Sequence, residues 1–304
     1  MRMTRRTFLR TTAAATVAGA FLPTASWAAA ASPATRAIPS SGEAMPLVGL
    51  GTWITFNVGN DPKLKDECTG VMAAFFEAGG RMIDSSPMYG SAQPVIGYGL
   101  RKLGQPKPLF SAEKVWTSGD GPAQIEETRA LWGVPRFDLL QVHNLVAWEN
   151  QLPLLFEMKA AGKLRYVGIT TSEGRRHDLF EQIMRDHALD FVQLTYNAVD
   201  REVEERLLPL AAECGVAVIV NMPFGGGGLL RRLRDKALPG WATEIGAASW
   251  AQILLKFILA QPAVTVAIPA TSRVDHVREN LAAAAGPLPD ADLRERIAAQ
   301  VEDL

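Results

Sequence analysis

The sequence is short of the residues that mark several classes of protein. It has two cysteines, Cys68 and Cys214, on helix-like stretches far apart in the chain. An oxidising space would permit a bond between them, but two buried free thiols are expected, since an isolated cysteine packs as a small apolar residue. Of the four histidines, His177, His187 and His276 show no metal-ligand spacing, so capping or surface roles and no metal are expected of them. The net charge is −1, lysine and arginine are spread evenly, and no basic stripe follows the N-terminal leader. That gives no electrostatic reason to expect a nucleic acid or an anionic membrane as partner. No segment reaches the roughly 18 uninterrupted apolar residues of a spanning helix. No self-similarity at a period of roughly 20 to 50 residues suggests a solenoid.

What is present is a globular composition. The chain has 304 residues, 48% apolar and 21% charged, enough to bury a large core. Strand-like runs fall at 46–50, 81–84, 109–115, 137–143, 166–170, 191–195, 217–221 and 264–268. Helical stretches lie between them, including 66–77 before Gly79-Gly80, 152–161 before Gly162, 202–213 before Gly215 and 249–260 before Pro262. Alternation of this kind predicts an α/β fold, a single-domain (β/α)8 TIM barrel over 46–304, for which ~250 residues suffice. Glu202, Glu204 and Glu205 suit the positive end of their helix and need no functional role.

Four residues, Asp84, Tyr89, Lys114 and His143, lie at or just past the ends of three successive strand-like runs. In a parallel barrel their side chains converge. Alternate residues share a face, so Phe110, Ala112 and Lys114 line one side of their strand and Leu139, Gln141 and His143 one side of the next. A carboxylate, a phenol, an ammonium and an imidazole in one half-buried pocket form a proton-transfer device. A phenol titrates near ~10. The ammonium is expected to bring that value down, the carboxylate to keep the ammonium charged and placed, and the imidazole to orient a substrate oxygen.

The segment Asp84-Ser85-Ser86-Pro87-Met88-Tyr89-Gly90-Ser91, with Lys114-Val115-Trp116 and Leu139-Leu140-Gln141-Val142-His143, resembles the aldo/keto reductase family, with the likeness running from about Gly49 to Asn280. The resemblance implies hydride transfer between NADP(H) and an aldehyde, ketone or alcohol, with Asp84, Tyr89, Lys114 and His143 as catalytic residues. It also implies coenzyme contacts. Thr170, Thr171 and Gln193 would meet the carboxamide, and Asn221, Pro223, Phe224 and Gly225 the nicotinamide and pyrophosphate. Thr271, Ser272 and Arg273 would take the 2′-phosphate, and Glu279 and Asn280 the adenine. Ala270 and His276 stand where many members carry a lysine and an arginine, and Asn221 where a stacking tyrosine is common, so NAD remains an alternative. Trp53, Trp116 and Trp148 follow strand ends and would wall a pocket for an apolar or sugar-like carbonyl compound, with no positive clamp for an anion. Two other readings stay open: an exported binding protein with weak coenzyme use, and a lyase using Lys114 as a Schiff-base nucleophile. A monomer is expected.

The N-terminus carries a different signal. Thr4-Arg5-Arg6-Thr7-Phe8-Leu9-Arg10, an Ala-rich apolar stretch and Ser26-Trp27-Ala28 resemble a twin-arginine export signal over 1–30, cleaved after about Ala28. This implies the Tat export machinery as a partner, a periplasmic or otherwise exported location, and coenzyme bound before export. Residues 31–45, rich in Ala, Ser and Pro, read as a flexible arm.

Overall fold

The computed structural model describes residues 34–303, and the expected export signal lies outside them. Eight strands pair in parallel with their neighbours in chain order: β3 (Leu50–Gly51), β4 (Met82–Asp84), β5 (Phe110–Val115), β6 (Phe137–Val142), β7 (Leu164–Thr170), β8 (Phe191–Thr195), β9 (Ala217–Asn221) and β10 (Val264–Ala267). Parallel bridges from Val48 to Ala267 and from Gly51 to Ala270 bring the last strand back to the first. The Gly49 N–H donates to the Ala267 carbonyl at 2.8 Å, and the Ala267 N–H to that of Leu47 at 2.9 Å, so no edge is left open there. Glycine is required at this seam, because a Cβ on Gly51 would stand 2.6 Å from the Ile268 carbonyl oxygen.

The helices are α1 (Pro62–Glu77), α2 (Ala92–Lys102), α3 (Gly121–Trp132), α4 (Trp148–Ala160), α5 (His177–Asp186), α6 (Leu207–Glu213), α7 (Gly228–Leu233), α8 (Trp250–Leu259), α9 (Val274–Ala282) and α10 (Ala291–Asp303). Helix α1 begins before the expected 66, since the Asp61 carboxylate caps the Lys63 and Leu64 N–H groups and Pro62 opens the first turn. The stretch 202–213 is not one helix. A short 3₁₀ turn at Glu202–Glu204 precedes α6, and the Glu204 carboxylate binds Tyr196, Arg201 and Arg294 instead of lying free at a helix end.

Two cores follow from the alternation of strand residues. Side chains turned outward pack under the helices. Those turned inward, Met82, Phe110, Ala112, Leu139, Tyr166, Phe191, Ala217, Ile219, Val266 and Ile268, fill the barrel. Ile38 and Met45, both fully buried, join this inner cluster. They belong to an antiparallel hairpin, β1 (Thr35–Ala37) and β2 (Ala44–Pro46), that replaces the expected flexible arm from Thr35 onward. Its two apolar side chains plug the N-terminal end of the barrel, each burial being worth roughly 1.5–3 kcal/mol. Glu43 in its turn binds Arg81 and Arg165. Cys68 is buried, but Cys214 is exposed at the end of α6, against the expectation of two buried thiols; both are free. Among the described residues, no helix is long and apolar enough to cross a membrane.

Candidate active site

Above the apolar filling, the same inward alternation ends in polar residues: Asp84 on β4, Lys114 on β5, Gln141 on β6 with His143 just beyond it, Thr170 on β7, Gln193 on β8 and Asn221 on β9. They lie at the C-terminal mouth, where barrel enzymes hold their chemistry. Strain gathers here too. Ile54, Asn144, Leu145, Ala147, Glu173, Arg176 and Met222 all have positive φ, and all stand in loops that follow barrel strands at this face. For a β-branched residue such as Ile54 that conformation is costly and is held by its surroundings.

The centre is an ion pair. Lys114 Nζ donates to Asp84 Oδ1 at 2.6 Å and to the Ser85 carbonyl at 2.7 Å, with both charged side chains inaccessible. Gln193 Nε2 donates to Asp84 Oδ2 at 2.9 Å. Burial alone would lower the lysine's pKa; the charges of Asp84, Tyr89 and Glu113 outweigh it and hold the ammonium above its usual range. A cation so placed is no Schiff-base nucleophile, which removes the lyase reading.

Tyr89 reaches the pair from the loop after β4. Lys114 Nζ stands 5.2 Å from its ring centre, and the His143 ring meets it edge to face at 5.8 Å. Burial pushes the phenol up; Lys114 pulls it down, while Asp84 and Glu113 add to the rise. The net direction is upward, opposite to the expectation, because one ammonium already shared with carboxylates does not offset the loss of water. Tyr89 is therefore a protonated donor at neutral pH, with Lys114 in place to stabilise its phenolate. Burial, with the charges of Lys114 and Arg175, lowers His143 to about 2, so the imidazole is neutral.

These groups open on one cavity of about 430 Å³, lined by Trp53, Asp84, Tyr89, His143, Thr170, Thr171, Gln193, Asn221, Pro223 and Phe224 among others. Half of the coenzyme residues expected from the sequence, those for the nicotinamide end, are thus brought together. Asn221 is fixed by Thr195 Oγ1 and the Thr171 carbonyl, and Phe224 supplies the apolar wall that Asn221 cannot. Gly226 and Gly227 line the cavity, whereas Gly225 does not. The Gly226 N–H has no hydrogen-bond partner among the described residues, while its neighbours Gly225 and Gly227 are bonded back to Met222 and Phe224. A free amide on a glycine turn suits a phosphate, so the residues present fit a nicotinamide dinucleotide.

Other expected residues lie outside this cavity. Thr271, Ser272, Arg273, Glu279 and Asn280 lie beyond Ala270 and do not line the cavity. Arg273 is paired with Asp275 at 2.5 Å, and Thr271 Oγ1 accepts the Arg273 N–H. Trp116 and Trp148 do not line it either. Ala147, at φ 47°, starts α4 so that Trp148 turns onto His187, 6.0 Å between ring centres, and Trp116 stays 40% exposed. Missed by sequence reasoning were Thr52, Ile54, Met88, Met222, Leu230 and Arg175, all of which line the cavity. Arg175 supplies the positive charge that had not been expected, though it is paired with Glu173 at 3.0 Å. Also missed was Glu113, fully buried behind β5, whose carboxylate accepts from Gln93, Trp132 and the Lys114 N–H. Alternation with Lys114 places Glu113 on the helix-facing side of β5, but the strand alone does not show that Gln93 and Trp132 meet it there.

A closed ring of eight parallel strands with an ammonium–carboxylate pair, a phenol and a neutral imidazole at its mouth defines a barrel enzyme built to move a proton. The aldo/keto reductase family model matches residues 47–299, and the chain belongs to that family; it is an oxidoreductase. It is similar to methylglyoxal reductase YeaE of Escherichia coli, with 27% identity over 85% of this chain and 92% of the relative. Among solved structures it is similar to the thermostable aldo-keto reductase Tm1743 in complex with the inhibitor epalrestat, at TM-score 0.72 and 26% identity over 88% of this chain and 99% of the other. An aldo-keto reductase of Klebsiella pneumoniae in complex with NADPH shares the fold, at TM-score 0.69 and 23% identity over 86% and 92% of the two chains.

Proposed function

We propose that this protein interconverts a small aldehyde or ketone and its alcohol as a monomer, using NADP(H), with Tyr89 as proton donor and acceptor. The observation that carries the reading is the buried Lys114–Asp84 pair beneath Tyr89, which lines one cavity together with neutral His143. A nicotinamide, when bound, would supply or accept the hydride. Thr170, Gln193 and Asn221 offer hydroxyl and amide groups to a carboxamide. Gln193 turns its Nε2 to Asp84, and among the described residues its carbonyl oxygen has no partner. Phe224 and Trp53 give the cavity apolar walls.

As negative charge grows on the carbonyl oxygen, Tyr89 hands over its proton and His143 donates a hydrogen bond. The phenolate left behind lies beside the Lys114 cation, which Asp84 and the Ser85 carbonyl keep in place. These donors are fixed before the charge develops, so they stabilise the transition state more than the ground state. Tyr89→Phe is expected to lower kcat for methylglyoxal by ~10² to 10⁴ with coenzyme binding little changed. A variant within about threefold of wild type removes the role. The same assay with both coenzymes reads the choice between them. Arg273, exposed and able to leave Asp275 for a 2′-phosphate, supports NADP(H). A second reading, NAD(H), is favoured by Asp275, which already neutralises Arg273 and would repel that phosphate. A higher kcat/KM with NADH would establish it.

The paired-arginine leader supports export in the folded state, and we place the enzyme outside the inner membrane on that ground.

A further inference from the structure

Ser86 lies two residues past Asp84, between the carboxylate and Tyr89, and is fully buried. Its Oγ is 2.7 Å from His143 Nδ1 and accepts the Met88 N–H at 3.1 Å. Among the described residues the hydroxyl has no other partner, so its own proton has one acceptor in reach, the imidazole nitrogen. If Nδ1 carried a hydrogen instead, Ser86 would accept twice and its O–H would be left buried without a partner, which is costly. His143 Nε2 has no partner among the described residues, and His143 lines the cavity.

We infer that Ser86 is a positioning residue for the proposed reduction: by donating to Nδ1 it fixes His143 in the Nε2–H tautomer, with the donor turned to the substrate oxygen. The inference rests on the reading of the cavity as a carbonyl-reducing site. A neutral imidazole has one proton, and which nitrogen holds it is decided by what the other nitrogen is bonded to. With the proton on Nδ1, Nε2 would offer a lone pair to an oxygen gaining negative charge and would oppose the reaction. The neutrality that makes the tautomer decisive follows from the burial of the ring beside Lys114. The Met88 N–H bond to the same oxygen ties the hydroxyl to the loop that carries Tyr89. Donor and acid are thus set by one short segment.

The test uses the full chain labelled with ¹⁵N-histidine, the His143 signal being the one absent from His143→Asn. Long-range ¹H–¹⁵N correlation of the coenzyme-free protein is expected to show a bare Nδ1 and a protonated Nε2 in wild type. In Ser86→Ala the preference is expected to be lost. kcat for methylglyoxal should then fall about tenfold or more, as for one lost transition-state hydrogen bond, with the coenzyme Kd unchanged. Ser86→Thr, which keeps the hydroxyl, should retain the tautomer and most of kcat. A wild-type His143 protonated on Nδ1, or an unaltered tautomer in a folded Ser86→Ala, overturns the inference. A wild type with the expected tautomer but inert towards carbonyl compounds overturns the reduction and with it the catalytic purpose of Ser86, while its hold on the imidazole stands.

Discussion

At the scale of single residues, the site separates groups that titrate at neutral pH from those that do not. Burial and the neighbouring charges of Lys114 and Arg175 keep His143 neutral, and burial holds the Tyr89 phenol above its usual value. The charged groups around them are Asp84 on β4, Lys114 and Glu113 on β5, and Arg175 after β7. Carbonyl reduction needs the phenol protonated and the imidazole uncharged. Its kcat/KM is therefore expected to show no acid limb near ~6.5, the usual histidine value, and to fall only above ~10 as Tyr89 ionises. A pH–rate profile with a limb of unit slope near ~6.5, absent from a His143 variant, would contradict this. Glu113 behaves differently. Burial raises it from 4.5 to about 7. Between those values the folded protein binds more protons than the unfolded chain, so stability falls as pH rises through the window. Thermal unfolding from pH 4.5 to 7 is expected to show this slope, and Glu113→Gln to flatten it; an unchanged slope would place the titration elsewhere.

At the scale of elements, what the sequence disclosed depended on length and periodicity. Strands β5 and β6 run for six residues each, enough for alternation to show which side chains share the inner face, and Lys114 and His143 were legible for that reason. The strands of the hairpin have three residues each, too few for any period, in a segment of flexible-linker composition. Their role comes from the hole they fill. Trp148 was misread because a single residue in the left-handed region, Ala147, sets the direction of α4, and spacing along the chain does not encode direction. The phosphate-end residues were named by resemblance and not by pattern, and the structure leaves Arg273 tied to its own loop through Asp275. Contact between distant segments explains the rest. Gly97 on α2 is one such case, since a Cβ there would sit on the Leu131 carbonyl of α3, a constraint that only the folded packing states.

At the scale of the whole molecule, the hairpin and the mouth lie at opposite ends of the barrel, one closing the core and the other exposing the chemistry. The first described strand starts at Thr35, beyond the expected cleavage near Ala28, so processing there would leave the plug intact. Replacing Arg5 and Arg6 together by lysine is expected to prevent export. Fractionation should then recover the enzyme inside the inner membrane, and recovery outside it at the wild-type level would dismiss the leader's assignment. The tryptophans add an optical consequence. Trp53 is 41% exposed and lines the cavity, while Trp132 is fully buried with its indole N–H on Glu113. Their emission should differ in colour, the solvated indole at longer wavelength. A molecule entering the mouth would dim the Trp53 share of the red side, leaving that of Trp116 and the blue emission of Trp132, giving an enzyme that reports its own occupancy without a dye.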